Sequence, residues 1–489
     1  MKMRHWFCTV FLMLPGISAA ASDDVRSLGA GDAAEAIRSG ALTSEALVET
    51  LITHTGDDAG NHYITFDANG ARAAARTADA AAGARGPLHG VPIVLKDNIA
   101  AAGLPTTAGT PGLRDWVPDQ DAPVVARLRA AGAIILGKTN LHELAFGITS
   151  NNAAFGAVAN AYDPDRFAGG SSGGTGAVIG ARLAPAGLGT DTGGSVRIPA
   201  ALNGAAGLRP SVGRYPQAGL VPISHTRDTA GPIARNVADL ILLDGVITEG
   251  PLQLTPLDLG SVRLGVPSAF NGRVDPETGR LMSDALAALE AAGATLVPLD
   301  LSDIAALNEK VGFPIALYEA RVGLARFLAD NNTGVTLPDL AAQIVSPDVK
   351  FVFDNLILGD QAIPEDVYQA VMTGLRPQLQ TAYAEVFAAE RLDALVFPTT
   401  PLPAQSVSGS DQTVQLLGED MPTFQTFIRN TDPGSNAGLP GLSLPIGLTA
   451  GGLPVGLELD GPAFSDRHLL ALGLAVEAVL PDTPAPGGG

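Results

Sequence analysis

The sequence predicts a layered α/β protein built around a largely buried, mixed sheet. Two observations point there. Short unbroken apolar runs, the mark of strands covered on both faces, alternate with stretches whose apolar residues recur at helical spacing. Hydrophobic residues make up 46% of the 489-residue chain and charged residues only 16%, which suits a large core and not a disordered chain.

The elements follow in order. Ala30 to His54 reads as two helices, with Thr43 and Ser44 as N-cap candidates for the second. Arg72 to Ala82 is an alanine-rich helix that ends at "GPLHG". "VPIVLKDN" (Val91 to Asn98) is a buried strand closing on polar residues, and "AIILG" (Ala133 to Gly137) is another, after a helix over Ala122 to Ala131. Ala177 to Leu183 looks helical inside a glycine-rich stretch. Further strands are expected at Val262 to Pro267, Ala294 to Leu299, Asp393 to Pro398 and Leu442 to Gly447, with a helix over Pro276 to Ala292. Residues from about 302 to 391 break this rhythm. They read as a helical insert that shapes a pocket, with Phe313, Tyr318, Phe327, Phe351 and Phe353 as candidate walls. No fixed-period repeat stands out.

The start and end need separate treatment. Lys2 and Arg4 precede the apolar run Phe7 to Leu14 and then "PGISAAASDD", the layout of a secretory signal cut after Ala20 or Ala21. The expected division is therefore a signal peptide over 1–20, one catalytic domain over 21–480, and a disordered tail, "PDTPAPGGG", over 481–489. A periplasmic or secreted destination follows, with no membrane attachment once the signal is removed. The single cysteine, Cys8, lies in the signal, so the mature chain forms no disulfide and can do no thiol chemistry. A net charge of -20 with no basic run argues against nucleic acid or an anionic membrane as partner.

Several chemistries find little footing. His142 and Glu143 are adjacent, but no paired-histidine spacing supports a metal site. "GLGTDTGG" (Gly187 to Gly194) misses the dinucleotide-binding spacing. "GGSSG" (Gly169 to Gly173) matches a nucleophile elbow centred on Ser171, with His225 or His468 available downstream, but the residues before it read as loop, not strand. A stronger constellation joins three places. Lys96 ends a buried strand, and burial disfavours its ammonium form, leaving an amine able to act as base. Asp97 follows directly, and strand alternation sets it on the opposite face. Ser195 follows "TDTGG", whose backbone N–H groups can converge on an oxyanion. Ser171 lies a helix-sized excursion earlier, and its hydroxyl can accept one proton while passing on another.

The stretch "GGSSGGTGAVIGARLAPAGLGTDTGGSVRIP" (Gly169 to Pro199) closely resembles the signature of the amidase signature hydrolases: a lysine, two serines and a G-G-S-S-G-G…D-x-G-G-S-x-R block. "LHGVPIVLKDNI", "GKTNLHELAFGITSNNAAFG", "RPSVGRYPQAGLVPISHTRDTAGPIAR", "DALVFPTTPLPA" and "NAGLPGLSLPIGLTAGGLPVGLELDGP" extend the likeness across the chain except the insert and tail. The resemblance implies a layered α/β/α fold and cofactor-free amide hydrolysis. Ser195 would be the acylated nucleophile, Ser171 the bridge after a cis Gly170–Ser171 bond, and Lys96 the base. Backbone N–H groups of Thr192, Gly193, Gly194 and Ser195 would form the oxyanion hole, with Asp191, Arg197 and Ser172 in support. Within the family the chain looks most like bacterial mandelamide and indoleacetamide hydrolases. That implies a small hydrophobic or aryl amide as substrate, with a carbamate, ester, anilide or polyamide-oligomer hydrolase as the alternative. A homodimer and, more remotely, a periplasmic solute-binding protein are left open.

Overall fold

The computed structural model describes residues 25–82 and 86–487. The expected signal peptide lies outside the described residues. An eleven-stranded mixed sheet runs through the molecule. Its strands are β1 (Tyr63–Phe66), β2 (Pro92–Lys96), β3 (Ile134–Thr139), β4 (Ala186–Asp191), β5 (Ala206–Arg209), β6 (Thr229–Ala234), β7 (Arg263–Pro267), β8 (Thr295–Leu299), β9 (Ala394–Pro398), β10 (Gly441–Leu448) and β11 (Pro454–Asp460). The spatial order is β1-β3-β2-β4-β6-β5-β10-β11-β9-β7-β8. Strands β3, β2 and β4 are parallel, as are β9, β7 and β8, and antiparallel strands join the two groups. Strands β2 to β6, β9 and β11 are buried along their whole length, as expected of strands with helices on both faces.

The predicted strands appear within one or two residues of the expected bounds, and so do the helices Ala30–Ser39, Ser44–Thr55, Pro123–Ala130 and Pro276–Ala291. Thr43 caps the second of these by accepting the Ala46 N–H, while Ser44 opens the helix itself. The alanine-rich helix starts earlier than expected, at Ala68, because the Asp67 side chain accepts the Gly70 N–H. The helix in the glycine stretch is Gly173–Gly180, not 177–183. Its glycines serve close approach: a Cβ on Gly174 would stand 2.4 Å from the His62 carbonyl oxygen and 2.5 Å from that of Asn140.

Residues 302–390 are mostly helical, led by the long helix Ser302–Asp330 and closed by Arg376–Glu390. Between them, Pro347–Phe351 runs on into a wider helical turn, Val352–Ile357. Residues 481–487 have no regular secondary structure, and the Tyr162 hydroxyl donates to the Pro484 carbonyl at 2.8 Å. No helix among the described residues is long and apolar enough to cross a membrane.

Candidate active site

Strand β2 delivers Lys96 into the interior, where no part of it reaches solvent. Its Nζ stands 2.7 Å from Ser171 Oγ, 2.9 Å from Thr190 Oγ1 and 3.5 Å from the Thr190 carbonyl. Burial pushes its pKa down to about 7, although the carboxylates of Asp191 and Asp228 pull the other way. Asp97 does not offset this. It faces away, pairing with buried Lys138 at 2.9 Å and accepting from the Thr107 hydroxyl at 2.5 Å. A neutral amine has two N–H donors and one lone pair. With both donors spent on Thr190, the lone pair is left for the Ser171 hydroxyl.

Ser171 follows a cis Gly170–Ser171 peptide bond and is itself fully buried. Ser172 supports the strand beside it: its Oγ donates to the Thr190 carbonyl at 3.2 Å, and its N–H donates to the Ser195 carbonyl at 3.2 Å. Ser195 lies in the turn between β4 and the helix Arg197–Leu202, on the wall of a cavity of about 660 Å³. No hydrogen bond joins Ser195 Oγ to Ser171 Oγ among the described residues; Lys96 and Ser171 are in contact, and Ser195 is tied to the adjoining Ser172 through its carbonyl.

The turn itself is held by Asp191. Its carboxylate accepts the N–H groups of Gly194 (2.9 Å) and Val196 (3.1 Å), pairs with Arg197 at 3.1 Å, and meets Arg209 at 2.9 Å. Burial alone would raise its pKa, but Arg197 and Arg209 outweigh that and hold it well below the usual carboxylate range. This corrects one expectation. The Gly194 N–H is donated to Asp191, so it is committed within the turn and is not free for an oxyanion. Gly194 has φ +144, and an added Cβ would lie 2.2 Å from Thr431 Oγ1; only glycine fits. Arg197 also binds Glu458 at 2.8 Å and the Ser435 hydroxyl at 2.6 Å.

The cavity walls are mainly apolar: Phe146, Ile148, Ile223, Phe313, Leu317, Phe351, Val352, Phe424 and Ile428 take part. Its charged groups are Arg227, which pairs with Asp432, and the carboxylates of Asp348 and Asp411. Among the described residues no group of three or more His, Cys, Asp or Glu side chains could hold a metal ion. The elbow reading fails on geometry. No strand leads into Ser171, His225 stands against Glu319 and His468 against Asp393.

A family model described as Amidase matches residues 46–470. The chain belongs to the amidase signature family. It is an amidase, and that membership displaces the solute-binding alternative. It is 44% identical to an indoleacetamide hydrolase of Agrobacterium vitis, across 89% of this chain and 93% of that one. It is 42% identical to a mandelamide hydrolase of Pseudomonas putida, across 93% and 92%. Among solved structures, a crystallised amidase superposes with a TM-score of 0.82 at 34% identity, covering 93% of this chain and 100% of that one. The peptide amidase of Stenotrophomonas maltophilia gives a TM-score of 0.81 at 30% identity, covering 94% and 99%.

Of the five aromatic residues expected to wall this amidase's pocket, Phe313 and Phe351 do so. The others pack elsewhere. Tyr318 stacks on Tyr368 with ring centroids 4.2 Å apart, Phe327 sits edge-on to Trp116, and Phe353 is buried against Phe146. Sequence reasoning missed Arg209, Arg227, Asp432, Phe146 and Phe424. Phe146 lies within "GKTNLHELAFGITSNNAAFG", and Arg209 and Arg227 within "RPSVGRYPQAGLVPISHTRDTAGPIAR", both segments of the family likeness. Asp432 and Phe424 carry no local signal and reach the site through the fold.

Proposed function

We propose that this amidase hydrolyses neutral hydrophobic or aryl carboxamides to a carboxylate and ammonia or an amine, through an acyl-enzyme on Ser195. The observation that carries the reading is the fully buried Lys96 amine, its pKa pushed down to about 7, 2.7 Å from Ser171 Oγ and beside a cavity lined by Ser195. Lys96 Nζ takes the Ser171 hydroxyl proton as Ser171 Oγ takes that of Ser195, and Ser195 Oγ bonds to the amide carbon. The contact between the two serines forms with the amide in place. Backbone N–H groups of Thr192, Gly193 and Ser195 hold the oxyanion. The proton then returns from Lys96 through Ser171 to the leaving nitrogen as the C–N bond breaks, and water cleaves the ester by the same relay.

The substrate class is supported by the apolar walls and by the indoleacetamide and mandelamide hydrolases among the relatives. Three carboxylates against one guanidinium at the cavity disfavour anionic acyl groups. The test is a panel of amides, anilides, carbamates and esters assayed for released amine or alcohol. Neutral aryl carboxamides are expected to lead, and their carboxylate-bearing analogues to trail by tenfold or more, on the order of a like-charge penalty. A preference for anionic or strongly polar amides contradicts the reading. Export is proposed from residues 1–20, and N-terminal sequencing of protein recovered from a host periplasm tests it.

A further inference from the structure

The segment from His142 to Ala153 grips the helical insert with buried polar side chains that the reaction leaves unused. His142 Nδ1 accepts the Ser150 N–H at 3.2 Å, which leaves the ring proton on Nε2, and Nε2 donates to Asp348 Oδ2 at 2.9 Å. Glu143 is fully buried, and its Oε2 accepts the N–H groups of Val345 (3.3 Å) and Ser346 (2.8 Å). Ser346 Oγ in turn accepts the Ala153 N–H at 3.1 Å. Glu143 Oε1 is buried with no hydrogen-bond partner among the described residues, so Oε2 alone makes the contacts of this buried carboxyl. Here they fasten the start of the helix Pro347–Phe351, which brings Phe351 and Val352 to the cavity.

The same segment holds the reacting serine from its other side. The His142 N–H donates to the Ser171 carbonyl at 3.2 Å, and Ser150 Oγ donates to it at 3.4 Å while accepting the Gly173 N–H. Leu144, Ala145 and Ser150 take positive φ values of 53°, 63° and 61°, which non-glycine residues hold only where their surroundings fix them. One rigid segment thus touches both the pocket wall and Ser171.

We propose that His142 and Glu143 are positioning residues that set substrate preference, by locking the insert wall in register with the reacting serines. The proposal rests on the Ser195–Ser171–Lys96 reading. It predicts that Asp348→Ala, which cuts the histidine tie, lowers the ratio of kcat/KM for phenylacetamide over acetamide about tenfold through a higher KM, the size of one lost charge-assisted hydrogen bond. Asp348→Asn keeps an acceptor for Nε2–H and should restore the ratio to within about threefold. His142→Ala, at a residue off the cavity wall, should reproduce the loss, and the double variant should lose no more than either single one. An unchanged ratio in Asp348→Ala, no restoration by Asn, or losses that multiply in the double variant would overturn the proposal. Wild-type labelling at Ser195 by a fluorophosphonate is measured alongside. Its failure strikes the catalytic reading, whereas intact labelling with an unchanged ratio strikes the clamp alone.

Discussion

Lys96 shows how one side chain's surroundings decide its chemistry. Burial favours the neutral amine, and Asp191 and Asp228 offset only part of that, so the pKa falls to about 7. In the proposed mechanism the active form is the deprotonated one. We therefore expect kcat/KM to rise with pH through an apparent pKa near 7 and to level off in mildly alkaline buffer. Lys96→Ala should lose about a thousandfold in kcat/KM, within the usual range for a general base. Lys96→Arg should not rescue it, because guanidinium keeps its proton. An arginine variant with substantial activity and an unshifted profile would remove Lys96 from the proton path. Asp191 works at the same scale but through structure. Asp191→Ala strips the turn of its acceptor and leaves Arg209 buried without its carboxylate, which should cost about 3–5 kcal/mol in urea unfolding. Unchanged stability would show that Arg197 and Arg209 find other partners. Lys96, Ser171, Ser195, Asp191 and Arg197 were legible because they sit in one motif and at the end of one apolar run. Arg209 was not, since a charged residue betrays its burial only once the fold has closed around it, and Asp432, half-buried, meets Arg227 only through the fold.

At the scale of elements, apolar runs such as "PIVL" and "ALVF" announced β2 and β9, because strands covered on both faces need no alternation. Strand β4, "AGLGTD", hid behind its glycines. They are there because the neighbouring elements come close: a Cβ on Gly189 would stand 2.6 Å from Ser172 Oγ. Strand β5, "AGLR", likewise lacks the β-branched and aromatic residues that mark strands, and β6, "TAGPIA", carries glycine and proline in its interior. The insert was recognised as helical, but composition could not tell wall from core. Phe351, 57% exposed at the cavity, and Phe327, buried on Trp116, make that difference testable. Phe351→Ala should raise KM for an aryl amide several-fold with little loss of stability, while Phe327→Ala should cost about 3–5 kcal/mol and leave substrate preference alone. Steady-state kinetics and denaturant melts on the two variants check this, and the reverse pattern would contradict the assignment of the walls.

Across the whole molecule, the site exists because the sheet gathers distant pieces of chain. Strands β2 and β4 pair in parallel, so Lys96 and Asp191 come to the same end of the sheet, and the helix Gly173–Gly180 returns the chain between them. The insert then closes the cavity from the far side, on residues more than a hundred positions downstream of Ser195. Family likeness made this architecture readable in advance, while the pocket's shape had to come from the folded chain. The central claim is that Ser195 carries the acyl group. Rapid acid quench during turnover of an aryl amide, followed by tryptic digestion, tests it directly, because cleavage after Arg166, Arg182 and Arg197 puts Ser171 on peptide 167–182 and Ser195 on peptide 183–197. The account predicts the acyl mass on peptide 183–197 alone and none in Ser195→Ala; the acyl mass on peptide 167–182, or a Ser195→Ala variant that still turns over, would contradict it.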